Sequence, residues 1–147
     1  KELLLFEYGA GNSTLFYAKH VKNVTAVEHD KNWFERIKNQ MPANVTIKNI
    51  GLEADDYVHE ILQQDQLFDI VIVDGRKRIS CCRNAIKRLN DTGVLILDDA
   101  ERKHYQPAID YLLQQGFKHI PFSGIAIGAI HRKVTSLFYK ENNCLGI

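Results

Sequence analysis

The stretch Leu3-Leu4-Leu5-Phe6-Glu7-Tyr8-Gly9-Ala10-Gly11-Asn12-Ser13-Thr14-Leu15 decides how this chain folds. An apolar run closes in a glycine turn, and the turn opens a helical pattern. A strand that enters a helix through a tight turn is how an α/β sheet builds a nucleotide pocket at the carboxyl end of its first strand. Glycine at 9 and 11 lets the backbone take positive φ and lets a ligand come close. Asn12 or Ser13 is placed to cap a helix running to His20. The same G-x-G turn occurs in NAD-binding domains and in turns that hold no ligand. The NAD fingerprint wants a third glycine at position 14, and this chain has Thr14.

Working outward, strand and helix patterns alternate. Val24 to Glu28 is a second strand. Asp30 caps the next helix, with Trp33, Phe34, Ile37 and Met41 on one face and Pro42 as its stop. Val45 to Ile50 alternates as a third strand, and Tyr57, Val58, Ile61 and Leu62 form a helical stripe. Phe68 to Val73 is almost continuously apolar, as a central parallel strand should be. Ile79, Cys82, Ile86 and Leu89 make another helical face, Asp91-Thr92-Gly93 a turn, and Val94 to Leu97 a fifth strand. Tyr105, Ala108, Ile109, Leu112 and Leu113 follow in a helix closed by Gly116. There the alternation breaks. Phe117 to Phe122 and Val134 to Tyr139 are strands, and residues 123–133, with Gly124 and Gly128, read as a loop. Strands joined without a crossover helix pair antiparallel, whereas a standard NAD-binding domain would continue with βα units.

The 147 residues suit one domain, 1–147, with no repeat and no linker. A net charge of +1 provides no overall basic field for nucleic acid or membrane. Cys81, Cys82 and Cys144 form neither a disulfide framework nor a zinc spacing, which fits a reducing cytoplasm. No signal peptide is present, nor an apolar run of about 18 residues. A homodimer is left open.

Glu7 followed by Gly9-Ala10-Gly11, Glu28 ending the second strand, Asp74 ending the fourth, and the terminal hairpin together resemble the class I S-adenosylmethionine-dependent methyltransferases. Ser13 stands where many members have a third glycine. The resemblance implies a Rossmann-like, doubly wound, mostly parallel seven-stranded sheet with a C-terminal antiparallel hairpin. It implies S-adenosylmethionine as cofactor and methyl transfer to oxygen or nitrogen of a small-molecule acceptor. It places Glu7 near the methionine end, and Gly9, Gly11, Asn12 and Ser13 under the ribose and carboxylate. Glu28 would accept hydrogen bonds from the ribose hydroxyls. An acidic residue of Gly51-Leu52-Glu53-Ala54-Asp55-Asp56 would meet the adenine. A neighbouring backbone N–H would meet the ring; Leu52, Glu53 and Asp55 are all candidates, and Asp55 or Asp56 equally suits a helix start. Family members often carry substrate-binding elements before the first strand, and this chain begins at Lys1, almost within that strand.

Asp74, Asp98 and Asp99 end parallel strands and so gather on the rim that holds the glycine loop. This resembles, more weakly, the metal-dependent catechol O-methyltransferase group, in which such carboxylates hold magnesium. The metal would lower the pKa of a substrate hydroxyl. Without a metal, Asp74 or Asp98 can act as general base beside the cofactor. Lys77 sits where that group's lysine base is sought, but between two arginines. Arg76, Arg78 and Arg102, with Lys77 and Lys103, bring positive charge to the rim and point to an anionic acceptor. Alternatively they pair with the rim carboxylates, and their number weighs against a metal. The competing functions are an NAD-type oxidoreductase and a cofactor-binding module without catalysis.

Overall fold

In the computed structural model, residues 2–125 and 132–147 are described. Strand β1 is Leu4–Tyr8, β2 Asn23–Glu28, β3 Val45–Asn49, β4 Phe68–Val73, β5 Leu89–Leu97, β6 Lys118–Ile125 and β7 Arg132–Tyr139. Between them run helices α1 (Asn12–Ala18), α2 (Lys31–Ile37), α3 (Asp56–His59), α4 (Arg78–Ala85) and α5 (Gln106–Gln114). The strands form one sheet in the order β3-β2-β1-β4-β5-β7-β6. The first five are parallel, while β7 is antiparallel to both β5 and β6. The expected seven-stranded sheet with its terminal hairpin is therefore present.

Side-chain alternation along β1 explains the three layers. Phe6 and Tyr8 enter one apolar layer with Val58, Ile61, Cys81, Cys82, Ala108 and Leu112 from the helices and turns on that face. Leu5 enters the other, with Ala18 of α1 and Ile37 of α2. Phe6 meets Tyr8 and Phe68 edge-on at 4.9 and 5.3 Å between ring centroids. Burying each such ring contributes roughly 1.5–3 kcal/mol. The Tyr8 hydroxyl donates to the Val58 carbonyl at 2.8 Å, so its burial leaves no orphaned polar atom. Cys81 and Cys82 are buried packing groups.

Several local expectations shift. Helix α1 begins at Asn12 with Gly11 before it, so neither Asn12 nor Ser13 is the cap. The Thr14 hydroxyl takes the Gly11 amide instead, at 2.9 Å. Asp30 does cap α2, accepting from the Trp33 amide at 3.0 Å. The stripe from Tyr57 to Leu62 is one α-turn continued by a tighter 3₁₀ turn over Glu60–Gln63. Helix α4 ends at Ala85, and Leu89 starts β5. The Asp91–Gly93 turn is an excursion within that strand: Phe68 pairs with Leu89 but Ile70 with Val94, so β5 carries the extra residues. The hairpin strands are longer than the sequence pattern implies, taking in Ser123 to Ile125 and Arg132 to Lys133. The rest of the expected loop, including Gly128, lies outside the described residues.

The order of the strands reverses between β1 and β4, since β2 lies on one side of β1 and β4 on the other. In open α/β sheets a ligand crevice forms at that reversal, beyond the carboxyl ends.

Candidate functional site

A cavity of about 410 Å³ opens at that reversal. Its walls are Gly9 to Ser13, Glu28, His29, Trp33, Asp74 to Arg76, Arg78, Asp99, Arg102 and Tyr105. The volume lies in the range of small-molecule sites. Of the expected cofactor residues, Gly9, Gly11, Asn12, Ser13, Glu28 and Asp74 line it. Glu7, Glu53 and Asp55 do not.

Glu7 faces the α1 side of β1 and is fully buried. Its two oxygens accept from the Ser13 and Thr14 hydroxyls at 2.7 and 2.5 Å. It acts from beneath, as the anchor of the glycine loop. Burial pushes its carboxyl up to about 7, with the two hydroxyls opposing. Glu53 folds back over Gly51, where an added Cβ would lie 2.1 Å from its Oε2. Asp55 pairs with Lys77 at 3.1 Å.

The two glycines of the loop have different reasons to be glycine. Gly9 has φ +93°, and a Cβ there would lie 2.8 Å from the Gly75 backbone. Gly11 is extended, with φ −174°, so it needs no positive φ. A Cβ on Gly11 would meet Trp33 only at 3.9 Å, so its use is an open wall toward the cavity.

Glu28 is 4% exposed at the end of β2. Its Oε1 accepts the Asp30 amide at 2.7 Å. Among the described residues no protein hydrogen bond engages Oε2. His29 Nδ1 lies 2.9 Å from Oε1, at an angle that makes no hydrogen bond, and is left buried and unpartnered. A half-used carboxylate beside an unpartnered imidazole nitrogen, next to the open face at Gly11, fits an adenosyl group's hydroxyls and ring.

The β4 and β5 ends form the opposite wall. Arg78 is 7% exposed and joins them. It donates to the carbonyls of Gly75 (3.0 Å), Asp74 (2.9 Å) and Asp98, and to the Asp74 carboxylate (3.1 Å). Although Arg78 lines the cavity, its donors are engaged by the protein. Asp99 stands in the left-handed backbone region, φ 53°, and gathers three cations: Arg78 at 3.4 Å, Arg102 at 2.6 Å, and Lys133 from β7. Burial alone would raise the Asp99 carboxyl, but Lys133, Arg78 and Arg102 together hold it below the usual range. Asp98 accepts from the Thr135 hydroxyl at 2.6 Å and does not line the cavity. Asp74 is pushed up to about 7, first by burial and then by the neighbouring Asp98 carboxylate, against the pull of Arg78.

The three expected metal ligands do gather, but around the Arg78 guanidinium: Asp74 at 3.1 Å, Asp99 at 3.4 Å and Asp98 at 3.9 Å. Asp99 also meets Arg102 and Lys133, and Asp98 accepts from Thr135. Among the described residues no three acidic, histidine or cysteine side chains are arranged to hold a metal ion. The donor set does not fit magnesium, because the charge a divalent ion would supply already comes from Arg78, Arg102 and Lys133.

Three residues that build the site were not drawn from the sequence. Thr14 served there only to disqualify an NAD fingerprint. Trp33 was placed on the core face of α2, but it is 38% exposed and donates from Nε1 to the Ala10 carbonyl at 2.9 Å. Gly75 carried no role, although it touches both Gly9 and the Tyr57 hydroxyl.

No family model matches the chain, and no curated protein matches it by sequence. Solved structures do. A precorrin-6y C5,15-methyltransferase from Geobacter metallireducens superposes with a TM-score of 0.71 at 16% identity, covering 96% of this chain and 81% of that one. The N-methyltransferase NodS from Bradyrhizobium japonicum, crystallised with S-adenosylhomocysteine, gives 0.65 at 18% identity, covering 95% and 78%. A spermidine synthase from Thermotoga maritima gives 0.67 at 10% identity, covering 93% and 52%. The chain has the class I methyltransferase fold. In that fold the cavity at the β1–β4 reversal is where a ligand is expected. A methyltransferase fold that a spermidine synthase also has does not choose the reaction, so the site must. Among the described residues no helix is long and apolar enough to cross a membrane.

Proposed function

We propose that this protein is an S-adenosylmethionine-dependent methyltransferase acting at oxygen or nitrogen of a small anionic acceptor. The observation that carries the reading is the juxtaposition, across one cavity, of a glycine loop with the half-used carboxylate of Glu28 and of Asp74 with the cationic rim. Gly9 to Ser13 and Glu28 would hold the cofactor, with Asp74 beside it. When bound, the cofactor supplies an electrophilic methyl group on sulfur.

The chain's own residues then have three tasks. Asp74 takes a proton from the acceptor O–H or N–H. A group poised near 7 is half available as base at neutral pH. Arg78 fixes the Asp74 loop and the β5 end, so the base does not drift from its place. The anion falls to Arg76 and Arg102. Arg76 is exposed at the mouth, with no ion pair among the described residues. Arg102 is half-exposed at the mouth and shares the Asp99 carboxylate with Arg78 and Lys133, so it is not fully engaged by a partner of its own.

Titration calorimetry with S-adenosylhomocysteine and with NAD tests the cofactor. Tight NAD binding without adenosylhomocysteine binding overturns the reading. Transfer of labelled methyl to a panel of small carboxylic acids, phosphates, phenols and nucleic acids tests the acceptor. Cofactor binding with no transfer to any of them would favour a binding module instead.

A further inference from the structure

We infer that Trp33 is a positioning residue for the cofactor loop: its indole N–H, reaching from α2, fixes the Ala10–Gly11 peptide. The inference rests on the reading of this cavity as the cofactor site. The peptide unit is held at both ends. Its carbonyl accepts from Trp33 Nε1 at 2.9 Å, and its amide donates to the Thr14 hydroxyl at 2.9 Å. That hydroxyl in turn donates to buried Glu7 at 2.5 Å. On the other side, the Trp33 amide is held by Asp30, whose own amide binds Glu28 Oε1 at 2.7 Å. A continuous hydrogen-bonded path therefore joins Glu28 to the loop, and among the described residues Trp33 is its one link from α2 to the loop.

The orientation matters chemically. A carbonyl left free on this wall would be a lone acceptor facing the carboxylate of an amino-acid group, an arrangement that repels and desolvates at a cost. With the carbonyl turned into the indole N–H, the loop shows that carboxylate no unpaired acceptor from this peptide. The indole ring lies against Gly11 and completes the wall where the glycine leaves space.

Trp33 is the chain's single tryptophan, so its fluorescence reports on this contact alone. Replacing it with benzothienylalanine keeps the ring shape and deletes only the N–H. The expected result is S-adenosylhomocysteine binding weakened about three- to tenfold, the scale of one hydrogen bond, in a protein whose circular dichroism remains native. Trp33→Phe should weaken binding at least as much. Faster hydrogen exchange at the Gly11 and Thr14 amides, which are bonded within the loop, is expected in both unliganded variants. In the native protein, adenosylhomocysteine should shift the tryptophan emission. Equal affinity in the benzothienyl variant, or equal loop exchange, overturns the inference. If the native protein binds no adenosylhomocysteine, the cofactor reading fails instead, and loop exchange alone decides whether Trp33 holds the loop.

Discussion

Gly9 and Gly75 meet backbone to backbone: a Cβ on Gly9 would lie 2.8 Å from the Cα and N of Gly75. The loops after β1 and β4 therefore touch with no side chain between them. A Cβ on Gly75 would lie 2.0 Å from the hydroxyl of Tyr57, a fully buried ring that cannot swing aside. Gly75→Ala should lower stability by about 1–3 kcal/mol, the range for overpacking, and weaken adenosylhomocysteine as Gly9 is displaced. Urea unfolding and calorimetry check both, and a Gly75→Ala protein of native stability would mean the loops separate freely.

Glu28→Ala should weaken adenosylhomocysteine by roughly 1.5–3 kcal/mol, the range for a hydrogen bond to a charged group. The side chain borders the cavity, so the variant should remain folded by circular dichroism. Native affinity in that folded variant would place the ribose carboxylate elsewhere.

Methyl transfer should rise with pH through a midpoint near 7, as Asp74 becomes a base. Asp98→Asn removes the neighbouring carboxylate that raises Asp74, so the midpoint should move down. A pH–rate profile that stays put in Asp98→Asn would separate the two groups.

Asp99→Asn should lower stability by about 1–3 kcal/mol, because Arg102 and Lys133 lose their carboxylate while buried Arg78 keeps that of Asp74. Asparagine tolerates the left-handed backbone at φ 53°, so the loss reports charge and not conformation. Since the rim's positive charge is already supplied by the chain, a chelator should leave methyl transfer unchanged. Loss with chelator, restored by magnesium, would contradict this account of the rim.

Glu7 sets a slope of stability with pH. Its carboxyl is raised in the folded state from 4.5 to about 7, so the folded protein holds the proton more tightly than the unfolded chain. Its contribution is fully present below about 4.5 and is lost as pH rises through 7, by about 3 kcal/mol in all. Asp74, raised in the same direction, adds a slope of the same sign. Glu7→Gln should flatten the fall between pH 5 and 8 in urea titrations; an unaltered slope would assign it to Asp74 alone.

Features that act along the chain were readable from the sequence, and features made by distant meetings were not. The continuous apolar run of β4 announces a central strand because both its faces are covered. Asp30 announces a helix start because its carboxylate reaches an amide three residues on. Trp33 and Ala10 lie 23 residues apart, and nothing in a helical stripe tells that its first aromatic turns away from the core. Asp99 is one of a string of acids until residues 78, 102 and 133 are brought around it. Glu7 reads as a ligand-facing acid because it precedes the glycines, yet strand alternation sends it beneath α1 to hold Ser13 and Thr14.

The tie between Lys133 and Asp99, with Thr135 on Asp98, carries a consequence for synthesis. Gly9 to Trp33 and Asp74 to Gly75, on the proposed reading the cofactor half, belong to strands made early. The acceptor half waits for β7, which inserts between β5 and β6 after both have been made. A nascent chain can thus assemble a place for the methyl donor well before it has a rim to receive anything that could be methylated. On the proposed reading, the rim that receives the acceptor is complete only when the last strand has joined the sheet.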